Sequence, residues 1–96
     1  MDKYELVVIV DGTIPQTQKE DIVKKAREAV EKYQGKVINS QVWMEKHKFS
    51  FRIKKCTEGT YYVINFESEP SQIANIKRQL RLNDQILRFL VVKTEQ

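Results

Sequence analysis

The chain is poor in the residues that carry covalent chemistry. Its 96 residues include one cysteine, Cys56, and one histidine, His47. A lone cysteine excludes an internal disulfide and fits a reducing compartment. Together the two side chains fall short of the ligand set of a zinc site. His47 stands among lysines, which suits a solvated or phosphate-facing role better than that of a general base. The three glycines are scattered as Gly12, Gly35 and Gly59, so no glycine-rich loop can cradle a phosphate. No apolar run approaches the roughly 18 residues of a membrane span. The first strand-like run begins at Tyr4, which leaves no room for a signal or transit peptide and leads to the expectation of a cytoplasmic protein. Neither catalysis nor a cofactor is expected.

What is present is a single domain, long enough to bury roughly 60–65% of its unfolded surface. The formal net charge is +4, and its distribution matters more than its size. Segment 46–55 carries five cations and no acid (Lys46, Lys48, Arg52, Lys54, Lys55). Segment 77–93 has Lys77, Arg78, Arg81, Arg88 and Lys93 against Asp84 alone. Two acid-poor segments in one small domain favour contact with a phosphate backbone, which supplies affinity and salt dependence more than sequence reading.

Tyr4 to Val10 is short and almost wholly apolar, and Asp11-Gly12 ends it, so it reads as a strand. Tyr4, Leu6, Val8 and Val10 share one face, Glu5, Val7 and Ile9 the other. A strand apolar on both faces is expected to be covered on both. Thr17-Gln18-Lys19-Glu20 has capping-box spacing. The stripe Ile22, Ala26, Ala29, Val30 and Tyr33 then predicts a helix that ends with Gly35 at C′. Lys36 to Trp43 reads as a second strand, and polar residues 44–48 are expected to loop out or twist. Phe49, Phe51 and Ile53 alternate with Ser50, Arg52 and Lys54. Thr57-Glu58-Gly59 reads as a turn and Thr60 to Glu67 as a third strand. Ser68-Glu69-Pro70 opens a second helix with the stripe Ile73, Ile76 and Leu80. Ile86 to Lys93 is the final strand, followed by a short tail.

The order βαββαβ predicts an α+β, ferredoxin-like sandwich, in which a four-stranded antiparallel sheet carries both helices on one face. The opposite face is then left bare, with Val7, Ile9, Tyr61, Val63, Leu90 and Val92 on it. Monomeric proteins rarely expose such a patch. A partner protein, a second copy or stacked bases could cover it. The RNA recognition motif shares this element order, but Val7 and Ile9 stand where that motif places stacking aromatics. Acylphosphatase shares it too, and its glycine-rich anion loop with an arginine has no counterpart in Asp11-Gly12-Thr13-Ile14-Pro15. An aliphatic face suits a protein partner.

Met1-Asp2-Lys3-Tyr4-Glu5-Leu6 resembles the M-x-x-Y-E opening of the bacterial small-subunit ribosomal protein number six family. Residues 80–93 (LRLNDQILRFLVVK) resemble that family's L-R-x-N-D-x-V-L-R-x-L-V-V-K, and Trp43 with residues 48–55 (KFSFRIKK) resembles its tryptophan-to-lysine segment. Met44 stands for a glycine of that segment, one extra residue lies between Trp43 and Lys48, and Arg52 replaces a proline. Losing the proline permits a ladder hydrogen bond at position 52. The resemblance implies a structural protein of the 30S subunit that binds the central domain (platform) of 16S rRNA together with ribosomal protein number eighteen. By motif position it implies RNA contact at Tyr4, Arg88 and Lys93, and by charge in matching segments at Lys3, Lys46, Lys48, Arg52 and Lys54. Phe51 joins Val7, Ile9, Tyr61, Val63, Leu90 and Val92 on the partner-protein face.

Overall fold

The computed structural model describes residues 1–94, the side chain of Phe51 excepted. Its elements run β1 (Asp2–Asp11), α1 (Gln16–Lys32), β2 (Lys36–Ile53), β3 (Cys56–Ser68), α2 (Ile73–Arg81) and β4 (Arg88–Lys93), with one 3-10 turn at Pro70–Gln72. The strands form one antiparallel sheet in the order β2-β3-β1-β4. Side-chain alternation along β1 decides its place. Tyr4, Leu6, Val8 and Val10 are buried with Tyr62, Ile64 and Phe66 of β3. Ile22, Val23, Ala26, Ala29 and Val30 of α1 and Ile76 and Leu80 of α2 complete the same core. Both helices therefore cover one sheet face, as the element order predicts. The expected tail at positions 95 and 96 lies outside the described residues.

Tyr4 corrects one expectation. It is 7% exposed, with its ring stacked on Phe66 at 5.5 Å, so it is a core residue rather than an RNA contact. Its alternation with Leu6 and Val8 outweighs its position in the opening motif.

The helix ends also differ from expectation. The Asp11 carboxylate accepts from the Thr13 backbone N–H at 2.9 Å and the Thr13 hydroxyl at 2.8 Å, an Asx turn that reverses the chain after β1. The Pro15 carbonyl then accepts from the N–H groups of Gln18 and Lys19. The helix thus begins at Gln16, and Thr17 is already inside it and forms no capping box. At the other end Gln34, with φ 67°, takes the left-handed position. The N–H of Gly35 reaches the Val30 carbonyl at 2.9 Å and that of Gln34 reaches Glu31 at 3.0 Å, the two bonds of a Schellman motif. Gly35 is needed one place later than expected, and for space. A Cβ there would lie 2.5 Å from Val30 Cγ1 and 2.9 Å from its carbonyl oxygen. Exchanging these roles should have opposite signs in urea unfolding. Gln34→Gly is expected to stabilise by about 0.5–1 kcal/mol, by relieving the left-handed strain of a side-chain-bearing residue. Gly35→Ala is expected to destabilise by about 1–3 kcal/mol, by overpacking.

Asp11 also makes stability depend on pH. The Thr13 N–H holds its carboxyl below the ordinary 3.8, helped by the Thr13 hydroxyl, the Cys56 thiol and Lys19 and opposed by partial burial. A carboxyl depressed in the folded state contributes stability above its unfolded pKa and loses it as pH falls through the folded one. The stability difference between wild type and Asp11→Ala should be largest at neutral pH and shrink as the pH falls below the ordinary carboxylate range and through the lowered folded pKa. A difference that persists in acid would contradict this.

The largest departure is the β2–β3 hairpin. β2 is one continuous strand of 18 residues, so residues 44–48 do not loop out. Its register slips between Val37 and Asn39, Val42 and Met44, Met44 and His47, and Lys48 and Ile53. Extra residues absorbed as bulges sharpen strand twist. Arg52 falls within the last slip, between the pairs Lys48–Glu58 and Ile53–Cys56. The turn is not at 57–59. Ile53 pairs with Cys56, and Lys54 and Lys55 between them have φ of 50° and 68°, positive at both positions as in a type I′ turn. Lysines here carry none of the Asn-Gly signal by which such turns are recognised. β3 consequently starts at Cys56, four residues before the expected Thr60.

β4 begins at Arg88, two residues later than expected. The Asn83 side chain accepts from the Gln85 N–H at 2.9 Å, its carbonyl from Ile86 at 3.1 Å, and Leu87 N–H reaches Ile9 at 2.8 Å. The Asn83 of the closing motif thus shapes the loop that delivers β4 to the sheet edge.

Candidate functional site

Away from the helices the sheet presents a grid that follows from register. Val7 has Val63 on one side and Leu90 on the other. Ile9 has Tyr61 and Arg88, and Glu5 has Asn65 and Val92. Val7, Ile9, Tyr61 and Val63 are half-buried. Leu90 and Val92, on the edge strand, are 59% and 42% exposed. These six residues thus lie together on the bare face as expected, and the side chain of Phe51, expected with them, lies outside the described residues.

Three residues not expected on this face join it from β2. Trp43 meets Tyr61 edge-on with centroids 5.9 Å apart, His47 does so at 5.5 Å, and the Phe49 ring lies 6.5 Å away. Gly59 admits the arm, since a Cβ there would sit 2.5 Å from the Phe49 ring and 2.9 Å from an Ile9 methyl. Trp43 remains 58% exposed. Trp43, Tyr61, Val7, Ile9, Leu90, Val92 and Phe89, with Glu5 and Arg88, line a shallow hollow of roughly 410 Å3. Only the bulges bring Trp43 and His47 here, and simple alternation along the sequence cannot locate bulges.

The cations divide. Lys46, Lys48, Arg52, Lys54 and Lys55 are all exposed on the β2–β3 arm. The ion pairs among the described residues join Met1 to Glu69, Lys25 to Asp21 and Lys93 to Asp2, so no arm cation is neutralised by one. Lys54 Nζ donates to the Ile86 carbonyl at 3.4 Å, which ties the arm tip to the loop before β4 and leaves Lys55, absent from the expected contacts, as the freer charge. Lys3 is exposed at the far end of the open face, opposite Glu67. Arg88 sits on the open face beside Ile9 and lines the same hollow as Trp43 of β2. Lys93 lies opposite Tyr4 and holds Asp2 at 3.1 Å.

Nucleophilic chemistry finds little support. Burial pushes the Cys56 thiol above its ordinary 9.0, and the Asp11 carboxylate beside it adds to the rise. A thiol shifted that way is less of a thiolate at neutral pH. No group of three or more candidate metal ligands is present among the described residues, and none of their helices is long and apolar enough to cross a membrane. A flat apolar surface beside an unpaired basic arm can bind a protein and a polyanion at once.

Comparison with known proteins identifies a family. The family model described as ribosomal protein S6 matches residues 3–93. The small ribosomal subunit protein bS6 of Micrococcus luteus is 36% identical over 96 residues, covering 100% of this chain and 94% of that protein. That of Helicobacter pylori is 35% identical over 99% of this chain, which spans 66% of the relative's length. Among solved structures, the 30S ribosomal protein S6 of Thermotoga maritima superimposes with a TM-score of 0.85 at 26% identity, covering 97% of this chain and 87% of that one.

Proposed function

The chain belongs to the ribosomal protein S6 family, and from that premise we propose that it binds the central domain of 16S rRNA through its basic arm and ribosomal protein number eighteen through its open sheet face. It is a structural protein of the small ribosomal subunit. The observation that carries the finer reading is the pairing of an apolar sheet face, uncovered among the described residues, with an adjoining arm whose cations have no carboxylate partner among those residues. Monomers seldom leave such a face bare, and unpaired cations on a projecting hairpin suit phosphate contact.

The arm tip supports the RNA half. Lys54 and Lys55 hold positive φ, a conformation that costs a side-chain-bearing residue about 1–2 kcal/mol. Positions that keep a charge against backbone preference are places to look for function. The RNA contacts assigned on this reading are Lys46, Lys48, Arg52 and Lys55, with Lys3 as an outlying cation. Arg88 is reassigned to the protein face, and Lys93 to its ion pair with Asp2.

Lys55→Gly separates structure from binding. It should raise stability by about 1 kcal/mol while reducing the salt slope of RNA affinity by about one phosphate contact. Arg52→Ala should reduce that slope by a similar amount and leave stability nearly unchanged. The measurement is binding of a 16S central-domain fragment, with ribosomal protein number eighteen present, across a salt series. Slopes unchanged in both variants would remove the arm from the RNA interface.

A further inference from the structure

Glu5 is out of place on the open face. It is half-buried, has Val92 opposite on β4 and Val7 two residues along its own face, and lines the hollow. Among the described residues no ion pair or hydrogen bond reaches its carboxylate. Arg88 lines the same hollow, opposite Ile9, and it too lacks a carboxylate partner. Between the two lie Val7 and Leu90, so the face carries an acid at one end of an apolar centre and a cation at the other. Four residues of strand separate their rows, about 13 Å.

Water solvates both charges in the free chain. A partner that covers the face removes that water, and a carboxylate left unpaired under it opposes docking strongly. RNA is a poor occupant, since phosphates would approach Glu5 as like charges. The geometry points to a polarised docking site: the partner segment on this face sets a lysine or arginine against Glu5 and a carboxylate against Arg88, with apolar side chains between. This rests on the reading of the open face as the site for ribosomal protein number eighteen. The separation corresponds to about four residues of an extended segment or about nine of a helix. A segment docked in reverse would bring like charges together, so the pair fixes orientation as well as affinity.

The test is calorimetric titration of the full chain with ribosomal protein number eighteen. Glu5→Gln keeps the shape, removes the charge and lies on the solvent side of β1, so its melting should match wild type. The expected result is binding weakened at least tenfold, with a shallower salt dependence, while Leu90→Asp abolishes binding. If Leu90→Asp abolishes binding and Glu5→Gln stays within twofold of wild type, the charge pairing is overturned and the docking face survives. If neither variant matters, both fall. A dimer of the chain alone that Glu5→Gln dissociates would make a second copy the occupant, which also overturns the proposal.

Discussion

Leu90→Asp is expected to weaken binding of ribosomal protein number eighteen at least 100-fold and to leave the fold intact. Leu90 is 59% exposed on the edge strand β4 and sits opposite Val7 at the centre of the open face. In the free chain an aspartate there keeps its water, so the stability change should be about 0.5 kcal/mol, as for ordinary surface substitutions. In a complex the same carboxylate is enclosed by apolar side chains, and burying it unpaired costs several kcal/mol. About 2.7 kcal/mol already amounts to 100-fold. Calorimetry gives the affinity and thermal unfolding gives the fold. Unchanged affinity would move the protein interface elsewhere on the molecule.

The second large effect is on stability. Phe66 is fully buried, stacked on Tyr4 at 5.5 Å, and lies on β3 opposite Tyr4 of β1 and Val37 of β2. Phe66→Ala removes the ring from a site that strands on both sides prevent from collapsing. Such truncations cost about 3–5 kcal/mol, a large share of the 5–15 kcal/mol that holds a typical domain. The melting temperature should fall by roughly 15–30 °C. A drop of only a few degrees would mean that Tyr4 and the α1 stripe can repack into the space, which the packing of β1 against α1 and β3 argues against.

These two residues mark what could be read from the chain and what could not. Phe66 and Leu90 lie on strands that pair with β1 without a register slip, and there the in–out assignment follows from β geometry alone. Element order, the helix-covered face and six residues of the bare face come from the same rule. The rule fails along β2. Each bulge shifts the alternation by a residue, so residues 44–48 read as a loop or a twist without distinction, and the aromatic group of Trp43, His47 and Phe49 around Tyr61 is invisible in sequence. The turn at Lys54-Lys55 hides for a different reason, since it uses residues that left-handed backbone disfavours. Tyr4 shows a motif position being read as function where alternation placed it in the core. Glu5 was legible on the open face from the outset, but its significance depends on its having no partner among the described residues, which only the structure reports.

The most direct test of the open face as the protein-docking surface uses Trp43, the chain's one tryptophan. With it replaced by 5-fluorotryptophan, fluorine NMR of the full chain follows a single resonance as unlabelled ribosomal protein number eighteen is added. Docking at this face predicts that the resonance shifts and loses its sensitivity to solvent isotope and to soluble quenchers as the complex forms. A complex that forms while the Trp43 resonance stays in place and fully solvent-sensitive would put the partner on another surface.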